Sequence, residues 1–325
     1  MAGFTWQDGE RTIRFGRGAI EAADELLGDG YALLTTARAE SSAPRVVERA
    51  AVVHHVGPGL VDELAAELLD QVDAPLVVAL GGGRVIDTAK AIAGTTGARA
   101  GAIPTTLSAA EMTKVHRLPK GREQGARRVR PAIVLNDPDL CASQPEDQLA
   151  ASAANALAHA VEAPATTLAS PVPTLAAREA QRLIDTAYLV DDEALGPGPR
   201  EQLALAALLA GYAIDASWYG LSHVLSQTLV RVGGAGHGPA NAAVLPYTIA
   251  ALERRTPGRV DPDGSLARLA HRLAKLAGAD GIRNLGVDEG RLDACADAAA
   301  QRPELDLTPP RADRDELREI YAAAW

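Results

Sequence analysis

Two sets of residues in this chain have types and spacings suited to chemistry. The first is the glycine run Gly81, Gly82 and Gly83, within LVVALGGGRVIDTAKAIAG (Leu76 to Gly94). A β-branched apolar stretch, Leu76 to Leu80, precedes it, and a segment with helical spacing, Val85 to Ala93, follows. Strand, glycine turn, helix is a layout that brings backbone N–H groups and a helix N-terminus up to a phosphate. Glycine suits such a turn because a Cβ blocks close approach and because the turn can require positive φ. The usual dinucleotide fingerprint is absent, with neither G-x-G-x-x-G nor an acidic residue about twenty positions on. On spacing alone, a plain turn between strand and helix is the competing reading. The second set is a sparse group of polar residues in Ala-rich helical segments: Asn155, His159, His223, Gln227 and His237. Asn155 and His159 are spaced i, i+4 and share a helix face. Imidazoles can ligate a metal or hold a proton near neutrality, whereas Gln227 can only position and hydrogen-bond. Taken singly, each histidine reads equally well as a satisfied buried side chain.

Further segments fall in a fixed order. GGGRVIDTAK resembles the GGGS-x-x-D-x-A-K signature of the iron-containing alcohol dehydrogenase superfamily, which includes glycerol dehydrogenase and maleylacetate reductase; Arg84 stands where that family has Ser. IPTTLSAAEMTKV (Ile103 to Val115) resembles the second cofactor segment in its maleylacetate reductase form, PTT-x-AGSEMT, with Ser108, Ala109 and Ala110 departing from AGS. VLNDPDL, AASAANALAHAVEA, GLSHVLSQTL and GHGPANAAVLPY resemble later family segments, colinearly, from Thr12 to the C-terminus. The resemblance implies a fold like that of dehydroquinate synthase. It also implies an NAD(P)H cofactor held by Gly81, Gly82, Gly83, Arg84, Asp87, Thr105, Thr106, Ser108 and Thr113. NAD-specific relatives carry Asp at the end of the YALLTT strand; Thr35, Thr36 and then Arg38 stand there. Losing the carboxylate and gaining a cation favours a 2′-phosphate, so Thr36 and Arg38 are added to the cofactor set and NADPH is expected to be accepted.

In metal-dependent relatives an Asp and three His, at the positions of Asn155, His159, His223 and His237, hold Fe²⁺ or Zn²⁺. Here the anion is replaced by Asn155, as in maleylacetate reductases, so no tightly bound metal is expected; these four would be the ligands if one were held. Most relatives have His at Gln227, near the nicotinamide. Without a metal, His159, His223 and His237 become the candidate electrophiles, with Asn155 and Gln227 beside them. Lys114, Arg117, Lys120 and the run Arg127, Arg128 and Arg130 lie in a segment that approaches the active site in relatives. A carboxylate substrate would suit them, though a solvated basic loop explains them as well.

The elements that must position these residues divide in two. Residues 1–140 alternate strand-like and helix-like segments, which predicts an α/β dinucleotide-binding domain with a parallel sheet and helices on both faces. Residues 141–325 are dominated by Ala/Leu-rich segments of helical period, at 146–168, 172–189, 199–230, 238–254, 264–277, 289–300 and 312–324, which predicts an all-helical domain. A ligand cleft is expected between the two. The net charge of −10 argues against a nucleic-acid partner. No apolar run approaches the ~20 residues that span a bilayer, and the polar N-terminus lacks a signal-peptide core. Two distant cysteines, Cys141 and Cys295, fit a reducing, cytoplasmic setting.

The expected activity is hydride transfer from NAD(P)H to a carbonyl or conjugated C=C of a small oxygenated substrate, possibly a carboxylate, in the manner of maleylacetate reductase. A homodimer is expected, as in relatives. Two alternatives stand beside it: a metal-dependent alcohol dehydrogenase with altered ligands, and a non-catalytic nucleotide-binding descendant.

Overall fold

The computed structural model describes residues 3–142, 144–189 and 195–325. Its contacts form two compact units: Met1–Gln144 with Gly196–Leu208, and Pro145–Leu195 with Leu209–Trp325. The first division falls after Gln144, and part of a long helix clusters with the first unit, which helical periodicity alone does not reveal.

The first unit is built on a seven-stranded sheet. Its strands are β1 (Phe4–Asp8), β2 (Arg11–Phe15), β3 (Ala32–Thr35), β4 (Val52–His55), β5 (Leu76–Gly81), β6 (Arg99–Pro104) and β7 (Ile133–Asn136), in the spatial order β1-β2-β7-β6-β5-β3-β4. Every neighbouring pair is parallel except β1 and β2, which form an antiparallel hairpin with Asp8 opposite Arg11. The sheet is therefore mixed at one edge, where strand–helix alternation predicts only parallel neighbours. Gly9, at φ 62, makes that tight connection possible.

Side chains alternate across the pleat. Ala32, Leu34, Val77 and Ala79 point to one face and pack against α4 (Val61–Leu68) and α5 (Gly83–Thr96) through Ala65, Ile86, Ala89 and Ala93. Leu33, Val78 and Leu80 point to the other and meet α1 (Ala23–Leu27) and α3 (Pro44–Glu48) through Leu27 and Val46. A sheet covered on both faces explains the unbroken apolar run of β5. The short α2 (Ala37–Glu40) follows β3.

The second unit is helical: α6 (Glu146–Glu162), α7 (Pro171–Tyr188), the end of α8 (Pro197–Ser217), α9 (Leu221–Thr228), α10 (His237–Arg255), α11 (Ser265–Leu276), α12 (Leu292–Ala300) and α13 (Arg314–Ala323). The segment 199–230, read from its period as one helix, is two. Trp218 takes a left-handed φ of 56, and a Cβ on Gly220 would lie 2.6 Å from Thr308 Cγ2, so the chain turns there. No single helix among the described residues is long and apolar enough to cross a membrane.

Candidate functional site

The glycine turn closes β5 and opens α5. Gly82 is the N-cap of α5 with extended backbone (φ −80, ψ −176), and none of the three glycines has positive φ. What they supply is space. A Cβ on Gly82 would stand 3.1 Å from Thr106 Cγ2 and Oγ1, and one on Gly83 would stand 3.0 Å from Ser108 Cβ. The Thr105 N–H donates to the Gly81 carbonyl (3.1 Å), so the glycine turn and the segment after β6 form one surface at the carboxyl ends of β5 and β6. No side chain caps α5, whose first N–H groups are directed at that surface. Arg84 is exposed on its first turn.

Asp87 and Thr113 are tied to a residue the sequence reading passed over. Lys90 is fully buried and donates to the carbonyls of Ala110 (2.9 Å), Thr113 (3.0 Å) and Val115 (3.0 Å). The Asp87 carboxylate lies 2.7 Å from its Nζ. At the end of the neighbouring strand β3, Thr35 donates to the Leu80 carbonyl (2.9 Å), and Thr36 Oγ1 caps α2 by accepting from the Ala39 N–H (3.2 Å). Arg38 is exposed on α2.

The polar set of the helical unit gathers at α6, α9 and the start of α10. The rings of His159 and His223 stack with centroids 4.7 Å apart and planes 10° from parallel. Glu162, one turn after His159 and fully buried, reaches across. Its Oε1 accepts from the Ser222 N–H (2.7 Å), satisfying a donor in the first turn of α9, and its Oε2 lies 2.5 Å from His223 Nδ1. A carboxylate acceptor places the proton on Nδ1 and leaves Nε2 as the outward nitrogen. His223 Nε2 and His159 Nδ1 are buried and have no partner among the described residues. Burial, with His223 and His237 nearby, holds His159 well below the usual imidazole range, so it is neutral near pH 7.

His237, the first residue of α10, is exposed. Asn241, one turn later, donates from Nδ2 to Asn155 Oδ1 (3.0 Å) and to the His237 carbonyl (3.2 Å). A cation bound by two imidazoles needs in-plane lone pairs that converge at about 2.0–2.1 Å. The stacked His159 and His223 rings direct theirs along separate planes, and Asn155 offers a neutral oxygen that already accepts from Asn241. Among the described residues, no three His, Cys, Asp or Glu side chains form a group that could hold a metal ion. Gln227 is engaged elsewhere: its Oε1 accepts from Arg302 Nη2 (3.1 Å).

The basic segment is largely committed within its own unit. Arg117 pairs with Asp62 (3.2 Å) and Lys120 with Glu63 (3.0 Å), and Arg128 Nε donates to the His116 carbonyl (3.3 Å). His116, to which the sequence assigns no role, fastens this loop. It donates from Nδ1 to the Arg117 carbonyl (2.9 Å) and accepts the Val129 N–H at Nε2 (3.1 Å). Burial, then the nearby Lys90 charge, pushes its pKa down to about 4.

Lys90, Glu162, Asn241 and Arg302 are the residues that sequence reasoning missed. Glu162 and Asn241 carry a usable signal, since each lies one helical turn from a candidate histidine. Arg302 carries none, lying far along the chain in a short turn.

The sequence model of the iron-containing alcohol dehydrogenase family matches residues 10–138, and that of the family's C-terminal region matches residues 149–325. Maleylacetate reductase 1 of Rhodococcus opacus is 31% identical over 280 residues, covering 82% of this chain and 78% of its own. Among solved structures, maleylacetate reductase from Agrobacterium tumefaciens superposes with a TM-score of 0.84 at 27% identity, covering 100% of this chain and 99% of that one. The maleylacetate reductase of Rhizobium sp. strain MTP-10005 gives 0.83 at 27% identity, covering 100% and 98%.

Proposed function

The chain belongs to the iron-containing alcohol dehydrogenase family, and from that premise we propose how it reduces its substrate. It is an NAD(P)H-dependent reductase of the maleylacetate reductase branch. Its relatives favour this reading over the altered-ligand alcohol dehydrogenase and the non-catalytic descendant.

The cofactor supplies the hydride. The fit rests on the cradle that a Cβ on Gly82 or Gly83 would fill, backed by the uncapped start of α5. Gly81, Gly82 and Gly83 bind the pyrophosphate, with Thr105, Thr106 and Ser108 facing them. Thr36 and Arg38 take the adenosine side, where an exposed guanidinium and no carboxylate favour a 2′-phosphate. The substrate is a small carbonyl or enone acid, like the substrate named for its relatives.

The reaction proceeds without a tightly bound metal. The single observation that carries this is the parallel stack of His159 on His223; the nearby Asn155 adds only a neutral oxygen that accepts from Asn241. Charge developing on the substrate oxygen is then met by the imidazole N–H of His237, the accessible donor, while Glu162 holds His223 in the tautomer whose outward Nε2 accepts. The test mixes the protein with NADPH and a panel of carbonyl and enone acids, maleylacetate first, and follows nicotinamide absorbance. Turnover supports the reading. Fluorescence quenching of NADPH without turnover on any acid favours the binding descendant instead.

A further inference from the structure

Arg302 lies beyond α12, at the edge of the imidazole cluster. Its Nε and Nη2 form a two-point pair with Glu304 Oε2 (2.9 Å) and Oε1 (2.8 Å). Nη2 also donates to Gln227 Oε1 (3.1 Å) and to Tyr219 OH (3.3 Å). These contacts fix the guanidinium plane. They also place it one residue layer from the histidines, because Gln227 follows His223 by one turn of α9 and the Tyr219 ring lies 5.6 Å from the His223 ring. Nη1 is different. It is shielded from water and has no acceptor among the described residues. A buried N–H pair without an acceptor is costly, and its natural complement is an anionic oxygen, which a guanidinium binds with directional hydrogen bonds. The basic loop expected to read a substrate carboxylate is committed to Asp62, Glu63 and the His116 carbonyl.

Resting on the reductase reading above, we propose that Arg302 is the specificity-determining residue that binds a substrate carboxylate, through Nη1, away from the carbon that receives hydride. Gln227 and Tyr219 hold the guanidinium at that distance, and Glu304 fixes its rotation while tempering its charge. The substrate class is thereby narrowed to acids whose carboxylate and reducible carbon are separate groups. The same geometry suits an amide at position 227. A neutral amide oxygen accepts from Arg302, whereas a protonated imidazole there would repel it.

The test needs no turnover. Succinate serves as an unreactive dicarboxylate probe and dimethyl succinate as its neutral counterpart. Each is titrated calorimetrically into the protein saturated with NADP⁺. Succinate is expected to bind at least about tenfold more tightly than the diester. Arg302→Gln is expected to erase that difference, and Arg302→Lys to keep part of it. Glu304→Gln leaves Arg302 in place and removes the competing carboxylate, so it is expected to tighten succinate severalfold; this variant decides the matter if Arg302→Gln does not fold. Equal binding of the two probes by the unaltered protein, unchanged succinate affinity in Arg302→Gln, or no gain in Glu304→Gln overturns the assignment. NADPH oxidation by the acid panel, measured on the same preparation, reports separately on the reductase reading. An inactive protein with Arg302-dependent succinate binding loses that reading and keeps the anion site.

Discussion

His159 and His223 lie face to face, 4.7 Å between ring centroids and 10° from parallel, with Glu162 gripping the second ring from behind. Two imidazoles in this relation share a surface but not a focus. Their near-parallel planes make them a poor pair of ligands for one cation.

The purified protein is therefore expected to hold well under one equivalent of iron or zinc, and chelator treatment is expected to leave its activity intact. Asn155→Asp supplies the missing anion and should raise metal uptake. Elemental analysis showing stoichiometric metal in the unaltered protein, with activity lost on removal, would overturn this.

Gly82→Val places a branched side chain against Thr106, where 3.1 Å already separates an imagined Cβ from Cγ2. NADPH affinity should fall at least about tenfold, or ~1.4 kcal/mol. An unchanged dissociation constant in a folded variant removes this turn from the phosphate site.

Arg38→Ala separates the two cofactors. The guanidinium is exposed and near the end of β3, where no carboxylate stands beside it in sequence before Glu40. Loss of NADPH affinity by about tenfold with NADH nearly unchanged is expected. Equal effects on both cofactors would show that Arg38 does not meet the 2′-phosphate.

Removing one donor to a developing oxyanion costs on the order of 10²–10³ in rate. His237→Ala should lower kcat by that factor while NADPH binding stays normal. Glu162→Gln keeps the shape and removes the charge behind His223, so it should lower kcat with little change in KM. Near-full kcat in both variants makes the cluster structural.

His116 predicts a pH dependence of stability. Its folded pKa of about 4 lies below the ordinary value, because protonation would bury a charge beside Lys90 and break the Val129 N–H bond. The unfolded chain thus takes up a proton first. The contribution of His116 is present above about pH 6.5 and is lost as pH falls towards 4, amounting to about 2 kcal/mol by pH 5. Urea titrations of the unaltered protein and His116→Gln at several pH values should converge as pH falls. Parallel curves would show that His116 titrates normally.

Much of the fold was legible because it is written in periodicity. The apolar run of β5 reads as a buried strand, and the Ala-rich repeats as helices. The hairpin β1–β2 escaped because Phe4–Asp8 is short and half-exposed. The broken helix escaped because the close approach at Gly220 is made by Thr308, far along the chain, and a left-handed Trp218 is not a sequence signal. The family was legible through colinear motifs. The candidate site was legible in its residue types but not in its joins. Positive φ, one of two reasons offered for the glycines, does not operate; what a Cβ on Gly82 or Gly83 would meet is Thr106 or Ser108. Gln227 could be named, yet its partner Arg302 stands 75 residues away, where no local pattern points back.

Lys90 fastens the loop from Ala110 to Val115 onto the same helix whose first turn carries the glycines. The two stretches of chain proposed to meet the cofactor are thus halves of one casting. A nucleotide arriving there finds a finished mould, and little ordering remains to be done at the moment of capture. On that proposal, discrimination among nucleotides falls to the rim at Thr36 and Arg38, where a substitution is expected to alter preference without loosening the mould itself.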